Sequence, residues 1–316
     1  MTLLVFRPSS RAPELMRRPR TTARGILFLT FALLIWTETA AASPDATDGV
    51  TKVPRLIFPV IGSTTYIDDF GDARGQGGHE GNDLMAAKRS LAVAAETGRV
   101  KFWTTSSRAG CMLYLDGESG TQYLYVHLNN DLTLDNDNRG KCVPGVAFAD
   151  GLKSGARVAA GEPIAFVGDS GDADGIASHL HFEVHPNGGG AISPYPYLRK
   201  ARRLLFAAKP GSLFTLALTG TVVGAAGEEL ELELDLVRSW PGGRKIEQSG
   251  RKVAVSVPPT ASIEGAIEPL TLASPTVGGL APGTSVTVFT APARTTLAAQ
   301  TGARNALSAK RVVLKK

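Results

Sequence analysis

The sequence predicts an all-β protein. Three observations carry that reading: several short segments alternate strictly between polar and apolar residues, glycine and aspartate clusters separate them, and helix candidates are few. In His179-Leu180-His181-Phe182-Glu183-Val184-His185, Leu180, Phe182 and Val184 are expected to face a core, with the histidines on the other face. Tyr123-Leu124-Tyr125-Val126-His127-Leu128 alternates likewise and would put His127 on the face of Tyr125 and Tyr123. Glu229 to Leu236 alternates without a break, as a strand with one wet face does.

Taken in order, the chain opens with a segment that is not part of the fold. Met1 to Arg24 holds six arginines, Gly25 to Trp36 is apolar, and Ala40-Ala41-Ala42 offers an A-x-A cleavage site. This is the pattern of a secretory signal peptide, residues 1–42, cut after Ala42. The alternative is an uncleaved anchor, but a twelve-residue apolar stretch spans only ~18 Å of a hydrocarbon core ~30 Å thick. Residues 43–55 read as a polar linker. From Leu56 to about 198, short strands are expected at Ala92–Ala95, Gly98–Trp103, Met112–Asp116, Gln122–Leu128, Arg157–Ala159, Pro163–Gly168 and His179–His185. Glycines 71 to 81 make a loop that either lets backbone approach a ligand or is a plain surface turn. Residues 199–210 read as a second linker. Residues 211–316 are expected to form a small β-sandwich-like domain from Leu213–Thr219, Glu229–Leu236, Lys252–Val257, Ser285–Thr290 and Arg311–Leu314.

Chemistry concentrates in the first of these regions. All five histidines fall between residues 79 and 185. A catalytic zinc site needs three nitrogen or oxygen ligands with one position left open, plus groups that handle protons. His79, Asp83 and His181 can supply the ligands, and His127 and His179 the proton chemistry. Gly81-Asn82 between the first two ligands favours a turn over a helix. His185 lies four residues beyond His181, roughly 13 Å along a strand, and is too far to share the same ion. Asp169 to Gly175 has a faint likeness to a calcium loop but lacks its glutamate, and reads as a turn.

These residues resemble those of a known family. His79-x-Gly81-x-Asp83, Val93-Ala94-Ala95-Glu96-Thr97-Gly98-Arg99-Val100, Tyr125-Val126-His127-Leu128, Val158 to Gly168 and His179-Leu180-His181-Phe182-Glu183 are similar in order and spacing to the lysostaphin-like (LytM-type) zinc endopeptidases that cut peptidoglycan peptides. The resemblance covers residues 56–198. It implies an antiparallel β-sheet peptidase domain with a groove, one zinc on His79, Asp83 and His181, and His127 with His179 as the catalytic pair. It also implies hydrolysis of stem or cross-bridge peptides by a secreted or periplasmic metalloendopeptidase. The alternative is a non-catalytic wall-binding or hydrolase-activating protein on the same scaffold; the intact ligand set speaks against it. A zinc peptidase of some other exported protein is a third reading.

Charge and cysteines add limits. The chain carries +5 overall, but residues 43–200 count 14 basic and 19 acidic side chains and residues 201–316 count 14 basic and 8 acidic. The tail, at +6, is thus a candidate for weak binding of an anionic envelope polymer. No nucleic-acid motif is present, and nothing beyond the leader could stay inserted in a membrane. Cys111 and Cys142 are the two cysteines. In an oxidising compartment an even count suggests a bridge, with two buried free thiols as the alternative.

Overall fold

Strands dominate the computed structural model, which describes residues 52–75, 77–265 and 276–315. The expected leader and most of the linker behind it lie outside the described residues. Among the described residues no helix is long and apolar enough to cross a membrane. A hairpin of β1 (Ala73–Arg74) and β2 (Gly77–Gly78) precedes β3 (Asn82–Met85). Then come β4 (Leu91–Val93), β5 (Gly98–Ser106), β6 (Gly110–Gly117) and β7 (Thr121–Leu128). After a long connection follow β8 (Arg157–Val158), β9 (Pro163–Phe166), β10 (His179–Pro186) and the short helix α1 (Tyr195–Leu198). Six strands form an antiparallel sheet in the order β3-β10-β7-β6-β5-β8, and β4 pairs with β9 beside it.

The alternation read in the sequence sets the faces of this sheet. Leu180, Phe182 and Val184 on β10 are fully buried, with Tyr123 and Tyr125 on β7 and Leu113 and Leu115 on β6 in the same core. The opposite face carries the odd-numbered residues of β10. The expectation for His127 fails, for a specific reason. Leu128, not His127, joins Tyr123 and Tyr125 in the core. The pairing of β6 with β7 shifts between Cys111–Leu128 and Leu113–Tyr125, so one extra β7 residue is accommodated. His127 itself sits at φ 58°, in the left-handed region. This is a β-bulge, which reverses the facing of every residue beyond it. Cys111 and Cys142 are joined by a disulfide, which ties the long connection after β7 to the start of β6.

The second half comprises β11 (Leu213–Ala226), β12 (Glu229–Trp240), β13 (Arg244–Ser256), β14 (Ser262–Glu264), β15 (Ser285–Thr290), β16 (Ala293–Arg294), helix α2 (Leu297–Thr301) and β17 (Ala309–Leu314). These strands hydrogen-bond as one seven-stranded sheet rather than as two facing sheets: β13-β12-β11-β15-β17-β14, with β16 also on β11. Leu230, Leu232 and Leu234 are fully buried, as the alternation of β12 requires. Their core also takes in Ile57, Ile61, Leu91, Val93 and Phe166 from the first half. Residues 199–210 are not a free tether. Leu204, Leu205 and Phe206 are buried in that same core. Three consecutive large apolar residues have nowhere else to go without exposing one. Val53 is likewise buried, in the first core, so packing begins ahead of Leu56.

Candidate metal centre

The pairing of β3 with β10 sets Asp83 directly opposite His181. His79 precedes β3 and is brought back over it by the bend at Gly81. That bend is a close approach: a Cβ on Gly81 would stand 2.5 Å from the Phe182 carbonyl oxygen and 2.9 Å from the His181 ring. Only glycine lets His79 and His181 come together at one point. His79 Nε2, His181 Nδ1 and Asp83 Oδ1 then converge. His79 Nε2 lies 2.9 Å from His181 Nδ1 and 3.1 Å from Asp83 Oδ1, and His181 Nδ1 is also 3.1 Å from Asp83 Oδ1.

Each ring is fixed from outside. His79 Nδ1–H donates to the Asp69 carbonyl at 2.8 Å, and His181 Nε2–H donates to Glu183 Oε1 at 2.9 Å. These tautomers follow from the hydrogen-bond partners. With both outer nitrogens committed, each neutral imidazole turns a lone pair inwards onto a carboxylate oxygen. Three acceptors that close need a positive charge between them, which is the His181 proton in the metal-free chain and would be the ion when metal is bound. A tetrahedral zinc with bonds of ~2.0–2.1 Å would hold its ligands about 3.3 Å apart. The residues therefore fit the ion with shifts of a few tenths of an ångström. His79, Asp83 and His181 are also the His/Cys/Asp/Glu group that could hold a metal among the described residues. Burial opposes ionisation of Asp83, but the His181 and His79 contacts outweigh it and hold the carboxyl far below the usual range.

His127 and His179 complete the cluster. Their ring centroids are 5.1 Å apart, and His127 lies 5.9 Å from His181. Both donate through Nδ1 at 2.9 Å, His127 to the Ser170 carbonyl and His179 to the Ala177 carbonyl. Each keeps Nε2 free of those carbonyls; that of His179 is 3.7 Å from Asp83 Oδ1 and that of His127 is 3.7 Å from Asp172 Oδ1. Burial, with help from the neighbouring His179 and His181, pushes the His127 pKa down to about 4 against its bond to Ser170. His127 is thus a neutral acceptor at neutral pH. The bulge in β7 is what lifts it out of the core face and onto this side.

Several functional contacts were missed by reading the sequence. Glu183 is the chief one: its Oε1 holds His181 and its Oε2 holds His185 Nε2 at 2.6 Å. His185 is therefore tied to the centre at one remove while remaining outside it. Two-residue spacing along β10 could have suggested this ladder, since 181, 183 and 185 share a face. Asp69 holds Asn82 Nδ2 at 2.5 Å, and Arg74 on the β1–β2 hairpin reaches Asp83 Oδ2 at 3.1 Å. That leaves Asp83 one oxygen for the centre. Neither contact has a local signature, because both arise from the path of the loop. On the open face of the sheet, Trp103 of β5 stands edge-on to Tyr114 of β6 at 6.0 Å and is 41% exposed.

No family model matches the chain. It is 28% identical over 157 residues to an L-Ala--D-Glu endopeptidase of Bacillus subtilis, a match that covers 46% of this chain and 43% of that protein. The chain thus spans less than half the length of this curated relative. Among solved structures, the catalytic domain of the antimicrobial peptidase lysostaphin from Staphylococcus simulans is 22% identical, with 44% of this chain and 92% of that one covered and a TM-score of 0.34. A zinc-containing peptidase from Vibrio cholerae is 21% identical, with 44% and 39% covered and a TM-score of 0.32. Likenesses at those scores carry no argument. In motif order, in its His–Asp–His cluster and in its matched relative, this chain resembles the lysostaphin-like (LytM-type) peptidase family.

Proposed function

We propose that the chain is an exported zinc-dependent endopeptidase that hydrolyses peptide bonds in peptidoglycan stem or cross-bridge peptides. The observation that carries this reading is the convergence of two imidazole lone pairs and a carboxylate within 2.9–3.1 Å. One zinc per chain would sit on His79, Asp83 and His181. When bound, zinc supplies a Lewis acid for the scissile carbonyl and acidifies an attacking water. His127, neutral and with Nε2 unprotonated, accepts the proton of that water. His179, on the same side of the centre, steadies charge that develops on the carbonyl oxygen. Arg74 keeps Asp83 turned so that one oxygen faces inwards. Glu183 keeps His181 in the tautomer with Nδ1 inwards. The open sheet face beside the cluster gives an extended peptide a floor. The export pattern of residues 1–42 and the disulfide agree with a secreted or periplasmic setting. The basic half, residues 201–316, is the part that would hold anionic envelope polymer.

The test combines metal analysis with a zymogram on cell-wall material. The purified chain should bind one equivalent of zinc, clear the wall, and lose both properties with a chelator. A chain that binds no zinc, or that clears the wall equally well when stripped of metal, would overturn the proposal. His181→Ala should lose the ion; full occupancy in that variant would remove it from the ligand set.

A further inference from the structure

A cavity of about 550 Å³ lies away from the histidines, between the β4–β9 pair of the first half and the β12–β13 hairpin of the second. Its lining mixes three kinds of group. Phe166 and Trp240 supply ring surface. Lys153, Lys209 and Arg244 supply positive charge, and Asp150 and Glu162 supply carboxylates. The Arg244 guanidinium lies 4.9 Å from the centroid of the Phe166 ring. Among the described residues neither Arg244 nor Lys153 nor Lys209 forms a salt bridge, although the Asp150 carboxylate acts on the Arg244 charge from farther away. A half-buried guanidinium with no salt bridge is unusual, because the fork is built to hold two acceptor oxygens at once.

We propose that this cavity is a binding site for a carboxylated saccharide. The volume suits a ligand of one or two rings. The carboxylate of such a ligand satisfies Arg244 and the nearby lysines. The apolar face of a sugar ring packs on the half-buried Trp240, beside the Arg238 guanidinium that lies 5.2 Å from its ring centroid. The two acids decide against a plain anion. Asp150 and Glu162 oppose a dianion such as sulfate more strongly than a singly charged carboxylate, and they accept hydrogen bonds from sugar hydroxyls. Cations and carboxylates in one cavity therefore select a molecule carrying both a carboxylate and several hydroxyls. The site also sits where two halves of the molecule meet, a common location for ligand cavities. It shares no residue with the histidine cluster, so it stands independently of the peptidase reading.

The experiment is a titration of the purified full chain followed by calorimetry and tryptophan fluorescence. N-acetylmuramic acid carries the ring and the carboxylate, N-acetylglucosamine the ring alone, and acetate the carboxylate alone. Saturable binding is expected for the first, with the other two weaker by roughly tenfold or more. Arg244→Gln should weaken the first probe by a similar factor and leave zinc content unchanged. Lys153→Gln, at an exposed position that cannot disturb the core, should weaken it severalfold and decides the matter if the arginine variant does not fold. A Trp36→Phe, Trp103→Phe background leaves Trp240 as the single tryptophan and assigns the fluorescence change to it. No binding of N-acetylmuramic acid, equal binding of the neutral sugar, or unchanged binding in Lys153→Gln and any folded Arg244→Gln would each overturn the proposal.

Discussion

Glu183 offers a test of the centre that leaves His79, Asp83 and His181 in place. Its two oxygens accept one imidazole N–H each, from His181 at 2.9 Å and from His185 at 2.6 Å. Burial raises the cost of its charge, yet the two histidines hold its pKa down to about 2. Glu183→Gln keeps one acceptor and replaces the other with an NH2 group that confronts a ring N–H. A bond to a charged acceptor is worth ~1.5–3 kcal/mol and a neutral one ~0.5–1.5. The difference, about 1–1.5 kcal/mol, corresponds to roughly a tenfold loss of zinc affinity. Glu183→Ala removes both acceptors where water has little access, since Glu183 is only 8% exposed. Its loss should approach the upper end of the ~10–100-fold range for groups that orient a metal ligand. His185→Ala is the control. It frees Oε2 but leaves the bond to His181, so zinc affinity should change by less than roughly threefold. Competition with a chromophoric chelator near neutral pH measures all three, with circular dichroism to confirm the fold. Native affinity in both folded Glu183 variants would refute the idea that Glu183 tunes His181.

Three further outcomes are expected. His127→Ala and His179→Ala should each keep zinc but lose ~10²–10⁴ in turnover on wall peptides; near-normal turnover at equal folding would remove that residue from the proton chemistry. Replacing both Cys111 and Cys142 by serine opens a loop with a sequence separation of 31 and should cost about 3–4 kcal/mol on the chain-entropy estimate, read from denaturant midpoints. In the metal-free chain, burial opposes a charge on His181, but Asp83 and Glu183 outweigh it and push its pKa from 6.5 up to about 9. A raised folded-state pKa gives stability that is complete below the unfolded value and is lost as pH rises through the folded one. The thermal midpoint of the metal-free chain should therefore fall between about pH 7 and 9 and that of the zinc-loaded chain should not; a flat metal-free profile would contradict this.

The β class of the fold and the set of histidines were legible because both depend on local spacing. Leu180, Phe182 and Val184 face the core as a period of two demands, and His181 falls across from Asp83 because their strands pair. What the sequence did not disclose depends on three-dimensional position. The bulge at His127 has no glycine to announce it, so strict alternation placed the residue on the wrong face. Arg74 and Asp69 meet the centre only through the loop that precedes β3. Residues 199–210 looked like a connector because their apolar run is short, and their burial became visible only with both sheets in place.

The shared core has a consequence for how this molecule can be taken apart. Ile57, Ile61, Leu91, Val93 and Phe166 belong to the half that carries the histidines, yet they are kept dry by the half that does not. A cut near residue 210 would leave an apolar surface bare on each piece, and such surfaces associate. The two halves should therefore melt in a single transition, and neither is a module that can be transplanted. In this chain the seven-stranded sheet is the missing wall of the first half's own interior, and whatever it binds, it first serves as the other side of that core.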